Sequence, residues 1–262
     1  MTETGTAELG SKQLLSRAAH CYREAGLDDD ACRCLEGADN YYAAATLHEQ
    51  AERWESAARC FEKTEQWPRA ARCYFLARRP MDSARCHLAD DNPLTAAWIL
   101  AHHAHRFEHA RAILTEFTPA GYWQELTLML AEARCTLPQQ PVRAECALHR
   151  LFIRLRELGT QPGKVLERDS GSDDDLGNAD ARAPQEQHAQ ATPSPNRERN
   201  PERDRVMSWA FSLTWRVMDR PDLTMELFVA AWEAGVDTRQ RWEDWAGERL
   251  GDPSGPEFLW AA

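Results

Sequence analysis

Small and apolar positions recur along residues 19–122 with a period of 13. Cys21, Cys34, Cys60, Cys73 and Cys86 are spaced by 13 or by twice 13; Leu47 fills the gap, and Ile99 and Ala112 extend the series. Two residues before each stands a small residue: Ala19, Cys32, Ala45, Ala58, Ala71, Ala84, Ala97 and Ala110. Within a unit, Ala57, Cys60, Phe61 and Thr64, or Ala70, Cys73, Tyr74 and Ala77, sit at i, i+3, i+4 and i+7, which is one stripe of an α-helix. Breakers follow each stripe. Gly26 suits a left-handed C-terminal cap, and Pro68, Pro80 and Pro93 fall where proline can open the next helix. Each unit is thus predicted to be a helix of about ten residues and a turn of about three.

A helix this short is marginal alone in water and must bury its stripe against neighbours. Consecutive short helices joined by tight turns pack antiparallel, so two units make a hairpin of about 26 residues. Four such hairpins predict an all-α fold, a right-handed α-solenoid built from 13-residue half-repeats. Residues 1–18 are expected to cap its N-terminal end.

The segments Ala58-Arg-Cys-Phe-Glu-Lys-Thr-Glu-Gln-Trp-Pro-Arg-Ala70 and Ala19-His-Cys-Tyr-Arg-Glu-Ala-Gly26 resemble tetratricopeptide-like repeats of the short-helix kind found in transport-complex and coat proteins. The resemblance spans about residues 11–122. It departs from the standard tetratricopeptide unit, whose period is about 34 residues. It implies a solenoid and a protein-binding role.

After Tyr122 the period fades while helical spacing persists. Residues 123–160 are predicted to form two longer helices closing the stack, separated at Pro138-Gln-Gln-Pro141. From 161 to 203 the chain turns Gly-, Pro-, Ser-, Asp- and Gln-rich, with almost no large apolar residue, and is expected to be a disordered acidic linker. Residues 204–262 return to helical pattern. Val206, Trp209, Leu213 and Val217 form one stripe, and Phe211, Trp215 and Met218 a second. A helix over about 222–234 ends at Gly235, and Asp237 can cap a third. Six of the ten tryptophans lie in this segment, too much aromatic surface for three helices alone, so it is expected to pack back on the solenoid.

Charge narrows the function. Lys+Arg is 31 against 42 Asp+Glu, a net charge of −11, which makes nucleic acid an unfavoured partner. No apolar run approaches the ~18 residues of a membrane span. The start of the chain lacks the basic and apolar regions of a signal peptide, so a cytoplasmic location is expected.

Three constellations invite chemistry. The cysteines occupy the small slot of the repeat, where Cys behaves as a small hydrophobe, and no pair of close Cys/Cys or Cys/His doublets marks zinc; no cofactor is expected. The run Ala101-His-His-Ala-His-Arg-Phe-Glu-His109 would put His102, His105 and His109 on one face of a continuous helix, an alternative metal set. The repeat register instead places a turn through 104–106, with His103 and His109 in the small-residue slots. The third is an arginine ladder. Arg33, Arg59, Arg85 and Arg111 recur in every second unit, between the small residue and the Cys slot, pointing away from the stripe. Stacked on one face they suit an acidic peptide through charge-assisted bonds. No phosphate loop, nucleophile elbow or acid–base pair is evident. The sequence therefore points to a non-enzymatic scaffold or adaptor holding peptide or helical protein partners. The alternatives are a metal-binding sensor or enzyme using the His102–His109 cluster, and a helical-repeat RNA binder.

Overall fold

A computed structural model describes residues 3–159 and 200–251, with side chains from Gly10 onward. The expected linker (161–203) lies almost wholly outside the described residues, as do residues 252–262. Among the described residues there are thirteen α-helices and no strand, an all-α, solenoid-like arrangement in which consecutive helices pack on one another. The chain divides into two compact units, residues 1–120 with 131–141, and residues 121–130 with 142–262.

The first unit opens with α1 (Glu3–Glu24) and continues through α2 (Asp28–Gly37), α3 (Tyr41–Gln50), α4 (Trp54–Lys63), α5 (Trp67–Leu76), α6 (Pro80–Ala89), α7 (Pro93–His102) and α8 (Phe107–Glu116). The helix starts Asp28, Tyr41, Trp54, Trp67, Pro80 and Pro93 keep the sequence period without a slip. The third and fourth residues after each start are small and buried: Ala31 and Cys32, Ala44 and Ala45, Ala57 and Ala58, Ala70 and Ala71, Ser83 and Ala84, Ala96 and Ala97. With no bulky side chain to separate them, neighbouring backbones come close, and Leu35, Phe61, Tyr74 and Trp98 fill what space remains.

The turns are as regular as the helices. Gly26, Asp39, Glu52, Glu65, Arg78 and Asp91, which follow the same period, all have positive φ between 52° and 71°. The next residue's N–H then bonds back to a carbonyl in the last turn of the helix, as in Asn40 to Leu35 O, Arg53 to His48 O and Gln66 to Phe61 O. This is the left-handed helix stop expected at Gly26, repeated at five positions that lack glycine.

The register slips once. Three residues join each pair of helices up to α7, but four join α7 to α8, and the left-handed residue there is His105. Counted from its own start, α8 places Arg111 where the preceding helices hold a buried small residue.

The longer helices are α9 (Tyr122–Thr136) and α10 (Pro141–Gly159), and the division between units falls within α9. In the second unit α10 is joined by α11 (Pro201–Phe211), its π-helical continuation Ser212–Val217, α12 (Pro221–Glu233) and α13 (Arg239–Arg249). Asn200 caps α11 through bonds to the Glu202 and Arg203 amides, and Asp237 accepts from the Arg239 amide at the start of α13. Phe228 is fully buried and packs against Phe211, Trp242 and Trp245 at ring separations of 4.6, 5.1 and 5.8 Å. Polar contacts tie α12 to α10: the ion pair of Arg156 with Glu233 at 2.8 Å, His149 Nδ1 at 2.9 Å from Glu226, and the ion pair of Glu145 with Arg220 just before α12. The C-terminal helices thus find a partner in α10, one of the two longer helices. No helix among the described residues is long and apolar enough to cross a membrane.

Candidate functional site

The two-helix repeat brings every second helix into contact, and three carboxylates exploit that contact. Glu36, Glu49 and Glu62 each stand two residues after the Cys slot of α2, α3 and α4. Each reaches forward to the helix two along. Cys60 Sγ donates to Glu36 at 3.7 Å and Cys86 Sγ donates to Glu62 at 3.5 Å, while Glu49 lies close enough to Cys73 to disfavour its thiolate. Each thiol is its carboxylate's neighbour by construction, since one full hairpin along the chain returns to the same place in the next.

The helix between supplies a third group. For Glu36 it is His48, whose Nε2 lies 2.9 Å from Oε1. For Glu62 it is Tyr74, whose hydroxyl donates at 2.7 Å. For Glu49 the corresponding residue is Phe61; Glu49 pairs instead with Arg69, whose guanidinium lies 4.1 Å from the Phe61 ring centroid. Three structurally equivalent places therefore hold His, Phe and Tyr.

Electrostatics keep these thiols protonated. Burial first, and then the adjacent carboxylate, pushes the Cys60 and Cys86 thiols up to about 12. Burial and Glu36 raise Cys32 to about 11. None of these thiols is an activated nucleophile. Glu36, His48 and Cys60 offer carboxylate, imidazole and sulfur donor atoms within 4.8 Å of one another, the metal-capable group found among the described residues. Their joint position was not read from the sequence, where they stand one on each of three successive helices. The regular spacing of Glu36, Glu49 and Glu62 was the available signal.

The arginine ladder divides. Arg33, Arg59 and Arg85 occupy equivalent outward positions on α2, α4 and α6, with side chains 77, 64 and 59% exposed. Each pairs with a carboxylate about one turn earlier in its own helix: Asp30 at 2.6 Å, Glu55 at 2.5 Å and Asp82 at 3.4 Å. Arg85 also bridges back to Glu62 at 2.7 Å. Arg111, displaced by the register slip, is only 32% exposed; it pairs with Glu108 and donates to the Cys135 carbonyl at 2.8 Å and to Gln139.

The histidine run is broken by the turn before α8, so His102, His105 and His109 do not share one helix face. His102 stacks on Trp98 at 4.6 Å, and burial, with His103, Arg134 and His105 nearby, pulls it down to about 4. His103 meets Phe75 edge-on, His105 Nδ1 lies 3.4 Å from Arg134, and His109 is exposed on α8.

A scan against protein-family models finds no match, and neither the curated proteins nor the solved structures give one.

Proposed function

We propose that this chain is a non-enzymatic scaffold of the tetratricopeptide-like kind, acting in the cytoplasm, whose first unit holds a protein partner through an acidic segment. The row Arg33, Arg59 and Arg85 carries this reading. Three guanidinium groups at hairpin spacing project from α2, α4 and α6, each more than half exposed. An exposed ion pair contributes about 1 kcal/mol or less, so a partner carboxylate can displace or share Asp30, Glu55 or Asp82 at little cost. The planar guanidinium then offers a bidentate fork that a lysine would not. Arg111 is left out of this row, because its fork is already committed to the Cys135 carbonyl and Gln139. Protonated, buried thiols and the absence of an acid–base pair in the sequence favour a binding role over catalysis. The net charge of −11 favours a protein partner over nucleic acid.

The test is anisotropy titration of the full chain against a labelled, Asp/Glu-rich peptide long enough to span the three arginines. The parent chain is compared with an Arg59→Glu/Arg85→Glu double variant. Saturable, salt-sensitive binding that weakens at least tenfold in the variant, with the melting temperature held within a few degrees, supports the reading. Equal affinity for both chains overturns it.

A further inference from the structure

We propose that Glu36, His48 and Cys60, supplied by α2, α3 and α4, form a binding site for one divalent d-block cation, Zn2+ by the chemistry of the donors. Carboxylate oxygen, imidazole nitrogen and thiolate sulfur together are a borderline-soft set that suits zinc over magnesium or calcium. A tetrahedral zinc site with bonds of about 2.0–2.3 Å has donor–donor edges of roughly 3.3–3.7 Å. Here the oxygen–nitrogen edge is 2.9 Å, the oxygen–sulfur edge 3.7 Å, and all three atoms lie within 4.8 Å. Small side-chain adjustments, with no change of helix packing, would seat the ion.

The neighbouring hairpin fills the equivalent place with a different donor. In the equivalent place Tyr74 braces Glu62 with one hydroxyl, beside the Cys86 thiol, and needs nothing further. His48 meets Glu36 with Nε2, yet its second nitrogen, Nδ1, is buried with no hydrogen-bond partner among the described residues; the residue is 7% exposed. The gain at His48 is a nitrogen lone pair, which tyrosine's neutral hydroxyl does not match as a soft-metal donor. The Glu36 side chain is 42% exposed and opens the site to solvent, giving an entry path and a fourth position for water. Charge balance also fits. On binding, the ion replaces the proton on Cys60 Sγ, which passes to solvent, and takes the Nε2 lone pair of a neutral His48 imidazole whose one ring proton is carried on Nδ1. The resulting thiolate and carboxylate neutralise the two positive charges of the ion. Lys63 acts on Cys60, and its influence ranks below those of burial and Glu36.

The experiment uses the full chain with exposed Cys21 and Cys146 changed to Ser, titrated with Co2+ and then with Zn2+. One equivalent of Co2+ is expected to give tetrahedral d–d bands and a near-ultraviolet thiolate-to-cobalt band, both abolished by one equivalent of Zn2+. In His48→Tyr, which installs the brace of the next hairpin, affinity falls at least a hundredfold while the helical signal is retained. Cys60→Ala is the second variant, expected to remove the charge-transfer band even should His48→Tyr fold poorly. Three results would overturn the proposal: no saturable binding at submillimolar metal, a cobalt spectrum without the thiolate band, or a folded His48→Tyr chain that binds as tightly as its parent.

Discussion

His48 and Tyr74 occupy the same place in successive hairpins, and each meets a carboxylate of the preceding helix, Glu36 at 2.9 Å and Glu62 at 2.7 Å. The repeat preserves the geometry of a contact while changing its chemistry.

Because Tyr74 is 3% exposed and donates to a carboxylate that also receives Cys86 and Arg85, its hydroxyl has measurable energetic weight. Burial, and then Glu62, pushes that phenol up to about 12, so it remains a donor at every ordinary pH. Tyr74→Phe keeps the ring and removes the bond, and is expected to destabilise the chain by about 1–2 kcal/mol. Urea unfolding with an unchanged m-value checks this; a loss below about 0.3 kcal/mol would mean that Arg85 and Cys86 satisfy Glu62 without help.

Glu65 is exposed and holds φ at +55°, a conformation that costs a side chain roughly 1 kcal/mol or more. Glu65→Gly relieves that strain, offset in part by the greater freedom of glycine in the unfolded chain. The net effect expected is a gain of about 0.5 kcal/mol, seen as a rise of the melting temperature. The same substitution inside a helix, at Glu62, would lower it.

Acid should loosen the α7–α8 turn. The folded His102 binds its proton at about 4, below the ordinary value of 6.5, because burial and then His103, Arg134 and His105 disfavour the imidazolium. His103 is lowered for the same first reason. As pH falls from 6.5 towards 4 the unfolded chain therefore takes up protons that the folded chain does not, and stability drops through that window. For a ring only partly shielded from water the loss is on the order of 1–2 kcal/mol. His102→Phe keeps the stack on Trp98 and is expected to flatten that part of the pH–stability curve relative to the parent. Parallel curves for the two chains would show that carboxylates alone set the acid limb.

Gly159 ends α10 against the C-terminal turn of α12. A methyl group added there would collide with the Glu233 carbonyl oxygen, a backbone atom that no rotamer change can move. Gly159→Ala is expected to cost about 1–3 kcal/mol and to raise hydrogen exchange in α12 first. Unchanged protection of α12 would show that its docking does not depend on this close approach.

The local and repeating part of the fold was legible in the residues alone. Helix length, the three-residue turns, the buried small slots and the left-handed stop at Gly26 all follow from a 13-residue pattern, because backbone geometry converts a fixed sequence period into a fixed spatial period. In the second unit Phe228, Trp242 and Trp245 are buried against one another, as rings of this size must be to leave water. Three things were settled only by packing. One is the start of α8 one residue later than the period, which takes Arg111 out of the ladder: the residue pattern keeps its spacing of 13 through Ala110, so the shift shows only when helix starts are compared. Another is the scattering of the histidines, because His105 adopts the left-handed conformation rather than continuing α7. The last is the gathering of Glu36, His48 and Cys60, whose proximity depends on how three helices stack. Sequence spacing fixes the face on which a side chain lies, whereas the distance between faces is set by packing, and a site made of one atom from each of three helices exists only once that distance is fixed.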